Sequence, residues 1–174
     1  MVGQTMSYGE GSYDTWLVKL SSFSTIQWQY VYGGGGDDRP LDVIQTSDGG
    51  YALAGLTESW GGSDRDWWVM KLDGSGAEEW SVVAGGGEED VARALVETPD
   101  GDLVVGGQMR AGAPDNNDGF IVKLDDYAND PANKCPDVNV ISGFANQRPW
   151  DSGSGMWPGQ AGISRHYYTG LNPY

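Results

Sequence analysis

The chain has 174 residues, enough for one domain with a core; 28 are glycine while Lys, Glu and Ala are sparse, which favours strands and tight turns over helices. Its net charge of −15, with four Lys and six Arg, excludes the basic face that nucleic acid or an anionic membrane surface requires. Cys135 is the single cysteine, so neither an internal disulfide nor a thiolate zinc cluster can form, and no run reaches the roughly 18 apolar residues of a membrane span.

The N-terminus, MVGQTMSYGEG, lacks the basic and apolar regions of a signal peptide, so an export signal, if one is used, lies upstream of this chain. An acidic, lysine-poor surface suits salty or extracellular water, and the expected location is extracellular or at the cell surface. The first strong strand is DTWLVKL, Asp14 to Leu20; DWWVMKL follows at Asp66 to Leu72 and DGFIVKL at Asp118 to Leu124. Their lysines, Lys19, Lys71 and Lys123, stand 52 residues apart twice over, since 71 − 19 and 123 − 71 are both 52. The same offset maps Trp28 onto Trp80, Gly33 onto Gly85, Asp38 onto Asp90, Thr46 onto Thr98 and Gly55 onto Gly107. That period suits a four-stranded repeat and exceeds the lengths of the helical ones.

One complete unit, 39–90, divides into four strands: Pro40 to Thr46, Tyr51 to Thr57, Asp66 to Leu72 and Glu78 to Val83. The turns SDGG and DGSG join the first two and the last two, and their Asp-Gly pairs predict type I′ hairpins and hence an antiparallel meander. In the third strand Trp68, Met70 and Leu72 alternate with Trp67 and Val69, so both faces are apolar and the sheet has to be covered on both sides. Sheets that stack on one another meet that need.

Sliding the frame back by one period sets Met1 against Leu53 and Gly3 against Gly55, so the first unit begins inside its second strand. In the third unit the fourth-strand tryptophan is replaced by Ala132, and VNVIS, Val138 to Ser142, can supply a substitute strand. The expected organisation is repeats over 1–126, as a partial unit 1–38, a full unit 39–90 and a partial unit 91–126. An irregular Gly/Pro-rich tail, 127–174, carries Trp150, Trp157, Tyr167 and Tyr168.

The runs YGGGGDD (Tyr32 to Asp38) and TSDGGYALAGLTES (Thr46 to Ser59), with the W-V-K-L-D strand, resemble the β-propeller repeats of secreted and surface proteins of bacteria and archaea. The resemblance covers residues 1–126. It implies an all-β fold of four-stranded antiparallel blades, incomplete at about two and a half to three blades, with the irregular tail appended. The turn LDGSGAEEW, Leu72 to Trp80, is similar to the tryptophan-docking turn of quinoprotein propellers but one residue shorter, and no cofactor is carried over from that family.

A residue restated in every unit serves the unit, whereas a catalytic group is needed once. Lys19, Lys71 and Lys123 therefore read as structural, paired with Asp38 and Asp90 or with the strand-opening Asp14, Asp66 and Asp118, because a buried lysine requires a partner. Trp28 and Trp80 read as packing residues. The copies disagree at Trp60 and Trp67, which face Tyr8 and Thr15 in the first unit and Gly112 and Gly119 in the third. Beside Asp64 and Asp66 these tryptophans make a candidate lectin-like site, in which rings stack on a sugar and carboxylates accept its hydroxyls; packing between sheets is the competing role.

PDNNDG and DDYANDP hold acidic oxygens without the spacing of a calcium loop and read as solvated turns, so no metal is assigned. YGGGGDD lacks the ending of a phosphate loop. His166, the single histidine, and Cys135 have no nucleophile-elbow context, and no enzyme is expected. The expectation is a non-catalytic binding or structural module of an exported or surface protein, with a protein or glycan partner. Self-association or further blades of a longer parent chain would cover its open ends. The alternative is a carbohydrate-binding module or part of a glycan-active propeller enzyme.

Overall fold

The computed structural model describes residues 1–62, 64–85, 88–110, 117–124 and 138–139, and for 117, 118, 138 and 139 the backbone alone. Cys135, His166, the aromatics of the tail and the loop DDYANDP lie outside the described residues, as do Pro114 to Asn116 of PDNNDG and all of the tail except Val138 and Asn139. Among the described residues eleven strands run as β1 (Val2–Thr5), β2 (Asp14–Leu20), β3 (Ile26–Tyr32), β4 (Asp38–Gln45), β5 (Tyr51–Thr57), β6 (Asp66–Leu72), β7 (Glu78–Ala84), β8 (Val91–Glu97), β9 (Leu103–Arg110), β10 (Asn117–Leu124) and β11 (Val138–Asn139). They form three antiparallel sheets, ordered β1-β2-β3, β4-β5-β6-β7 and β8-β9-β10-β11. The described residues contain no helix, and hence none long and apolar enough to cross a membrane.

The repeat is legible in the register. In the second sheet Asp38 faces Thr57, extending the first strand two residues beyond its expected start at Pro40, because the Thr57 hydroxyl donates to the Asp38 carboxylate and holds the pair together. The short β11 pairs Val138 with Leu124, the place the sequence gives to a substitute fourth strand.

The hairpins depart from the expected type I′. In the turn after β4, Gly49 N–H donates to Thr46 O at 2.9 Å and Thr46 N–H to Gly50 O at 3.0 Å, and Gly49 alone takes positive φ, +89°. This is a type I turn closed by one left-handed residue. Its Asp48 carboxylate accepts the Thr46 hydroxyl and the Gly50 N–H, which keeps Asp48 itself out of the left-handed region. The turns ending at Gly76 and Gly101 repeat it, as does the β2–β3 turn, where Ser24 occupies the left-handed position at φ +59°.

Two apolar clusters lie between the sheets. Leu17, Val2, Trp28 and Tyr32 of the first sheet pack against Leu53, Trp68, Met70, Leu72 and Val83 of the second. On its other face the second sheet sets Ala52, Ala54, Trp67, Val69 and Val82 against Ala92, Leu95, Val105, Phe120 and Val122 of the third. Every residue of β6 is buried, with Trp67 and Trp68 on opposite faces. Replacing Ser24 by glycine removes the steric cost of a Cβ at positive φ; thermal melts should show Ser24→Gly more stable than the parent by about 0.5–1 kcal/mol.

Candidate functional site

Of the four residues that the sequence groups as a ligand site, two are withdrawn from solvent. Trp67 is buried and stacks on Phe120 across the second and third sheets, with ring centroids 5.6 Å apart. Asp66 is buried at the start of β6, where it accepts the Gly62 N–H at 2.7 Å. Trp60 is half-buried, its ring 5.6 Å from that of Trp68, and Asp64 is exposed. The loop therefore does not present two tryptophans and two carboxylates together. Both rings pack against the interfaces between sheets.

Two of the repeated lysines, Lys71 and Lys123, bond acids other than those the sequence pairs with them. Lys71, buried in β6, donates to Asp48 at 2.6 Å, Glu79 at 2.9 Å and the Leu72 carbonyl at 3.3 Å. Lys123 pairs with Asp100, one period beyond Asp48, at 3.3 Å and with Asp102. Asp38 and Asp90 sit at the opposite ends of these strands, out of a lysine's reach. Burial works against the Lys71 ammonium, but Asp48 and Glu79 overcome it and hold its pKa above the usual lysine value. Burial likewise opposes Asp48, yet Lys71, Thr46 and Gly50 bring it down to about 2. Among the described residues Lys19 has no such acid. Its ammonium lies 5.4 Å from the Tyr51 ring centre and 6.0 Å from that of Trp28, with the Gly74 carbonyl at 3.5 Å. Trp28 and Trp80 are partly buried against the two apolar clusters.

What the sequence did not assemble is a pairing of the repeated aspartates with each other. Asp14, opening β2, and Asp38, opening β4, converge on Gly33, where a Cβ would collide with a carboxylate oxygen of each. One period on, Asp66 and Asp90 converge in the same way on Gly85. Asp38 is well supplied with donors: the Thr57 hydroxyl, the Ser59 hydroxyl at 2.5 Å and the Gly34 N–H at 2.7 Å. Asp14 Oδ1 is buried and accepts no hydrogen bond from the described residues. Burial, with Asp38 and Glu10 nearby, pushes the Asp14 carboxyl up to about 6; burial and then the charges of Asp90 and Asp64 raise Asp66, against the pull of the Gly62 N–H. The signal was present in the sequence as Asp and Gly recurring at fixed offsets, Gly33 with Gly85 and Asp14 with Asp66. These pairs close the crossings from one sheet to the next.

Fold and site together define an all-β protein of repeated antiparallel sheets, with a lysine–acid cluster in the second and third sheets and paired aspartates at the crossings. Among the described residues no group of three or more His, Cys, Asp and Glu forms a metal-holding cluster. No family model matches the chain. It is similar to the regulatory protein FlaEY of Caulobacter vibrioides, 29% identical over 139 residues that cover 70% of this chain and 15% of that protein. The chain thus corresponds to a small part of that relative's length.

Two predictions follow from the charges. Lys71→Ala should cost about 2–3 kcal/mol in urea denaturation, because it leaves two half-exposed carboxylates facing a cavity, and Lys19→Ala less than about 1 kcal/mol. For pH, a carboxyl whose folded pKa is raised binds more protons folded than unfolded, so Asp14 adds stability as pH falls through 6 towards its ordinary 3.8. Asp48 and Asp100, both held near 2, act oppositely, and their contribution is lost only below 3.8. The melting temperature should therefore rise from pH 7.5 to pH 5 and collapse below pH 3, and Asp14→Asn should reduce the rise.

Proposed function

We propose that this chain is a non-catalytic β-propeller-type module of an exported or cell-surface protein, its stacked sheets acting as blades that make protein or surface contacts. The observation that carries this reading is the state of the two outermost faces. Trp16 is the repeat equivalent of Trp68, which is wholly buried between sheets, yet Trp16 is 40% exposed; Ile121 is the equivalent of the wholly buried Val69 and is 46% exposed. Leu20 and Val96 lie exposed in the same two end sheets. The side chains that join the sheets inside the chain are thus offered outward at both ends of the stack.

By the repeat, the outer face of the first sheet matches the face that the second sheet presents to the first, and the outer face of the third sheet matches its complement. A second copy, or further blades of the same kind, fits both faces by the packing already seen twice within the chain. The name of the FlaEY relative, a regulatory protein, agrees with a role without catalysis. A carbohydrate-binding role rests on Trp60 and Asp64 alone, since Trp67 and Asp66 are buried.

Light scattering on the whole chain tests the contact role. A species near twice 18.7 kDa that reverts to 18.7 kDa in Trp16→Glu or Ile121→Glu is the expected result. A monomer at all concentrations, with Trp16 and Ile121 equally tolerant of charge, would overturn self-contact through these faces.

A further inference from the structure

We propose that the outer edge of β1 is a docking slot for a bulged β-strand of the β4 type, one that opens with an aspartate and belongs to a further copy of the same repeat. The first observation is a glycine without a local reason. Gly55 in β5 and Gly107 in β9 face strands that bulge at this point, Pro40 and Asp42 flanking the skipped Leu41, and Ala92 and Ala94 flanking Arg93. A Cβ on Gly55 would meet Pro40 Cα and the Arg39 carbonyl carbon at 3.0 Å and collide with the Arg39 oxygen; on Gly107 it would collide with the Val91 oxygen and also with the Phe120 ring. At Gly55 the partner strand dictates glycine, and at Gly107 it does so together with Phe120. Gly3 is the same position in β1, but a Cβ there meets nothing within 4 Å, and among the described residues β1 pairs with β2 alone.

The second observation is independent and concerns hydroxyls. Thr57 and Ser59 donate to the carboxylate of Asp38, the residue that opens β4. Their equivalents one period earlier are Thr5 and Ser7, and the local geometry is retained: Ser59 N–H donates to Thr57 Oγ1 at 3.0 Å, and Ser7 N–H to Thr5 Oγ1 at 3.2 Å. Among the described residues neither hydroxyl of the first pair bonds a carboxylate. Both receptors of the opening aspartate are in place, and the aspartate is the incoming group.

The slot also continues an existing interface. β4 packs against β1 as β8 packs against β5. The inner strands β4 and β8 are tied by Leu95 N–H, which donates to the Asp42 carboxylate at 3.0 Å. Strand addition at this edge supplies main-chain hydrogen bonds, and the bulge and the opening aspartate supply selectivity.

The inference rests on the sheets being repeated units, and the experiment separates the two. A fluorescent peptide of residues 35–46, GGDDRPLDVIQT, is titrated into the full chain and followed by anisotropy. Saturable 1:1 binding is expected, weakened at least about tenfold by Asp38→Ala in the peptide and by Gly3→Val or by Thr5→Val with Ser7→Ala in the protein. Without peptide, Gly3→Val should melt with the parent and Gly55→Val well below it. Absence of saturable binding, equal binding by a scrambled peptide, or binding indifferent to Gly3→Val overturns the slot. A Gly55→Val chain as stable as the parent overturns the repeat reading beneath it.

Discussion

Everything in this fold depends on covering β6 twice. A strand with Trp67 and Val69 on one face and Trp68, Met70 and Leu72 on the other has no side to give to water, and a single sheet cannot satisfy it. The first and third sheets are the cover. Because each is built on a copy of the same strand, each brings its own second face, and the requirement passes outward to Trp16 and Ile121. The exposed ends of the stack are thus a direct consequence of repeating a two-faced strand.

Burying such a strand also buries its polar residues, and the two ends of the sheets solve this differently. At one end Lys71 enters the interior with two acids on its ammonium, and Lys123 keeps the arrangement with Asp100 and Asp102 near the surface. At the other end two carboxylates share each crossing, and burial first, then the partner's charge, raises the pKa of Asp14 and of Asp66. Asp38 is held by three donors, whereas Asp14 Oδ1 accepts none from the described residues. The lysine device ties strands within one unit, and the aspartate pairs lie where one unit passes to the next.

Glycine does the complementary work. Gly33 and Gly85 make room for paired carboxylates, and Gly55 and Gly107 for a bulged neighbour. The glycine content that suggested tight turns in the sequence is thus spent partly on close approach inside the sheets. Gly3 keeps the form of that arrangement without its occupant.

The 52-residue period, the strand limits of β2, β5 and β6 and the need for a double cover were legible in the sequence, because alternation and turn residues are local signals. The turn type was not, since Asp48 accepts bonds from Thr46 and Gly50 that keep it out of the left-handed conformation an Asp-Gly pair suggests. Nor were the partners of the repeated charges. Which acid meets Lys71 depends on which end of a seven-residue strand each side chain reaches, and Asp48 and Glu79 lie at the lysine's end while Asp38 and Asp90 lie at the other. Trp67 looked available for a ligand because it differs from Thr15 and Gly119, and only the neighbouring sheet, through Phe120, decided that it is core. The sequence by itself determined the repeating strands and their two apolar faces; the tertiary structure decided which charges and rings meet, because those contacts join residues of different strands and sheets that no local pattern ranks.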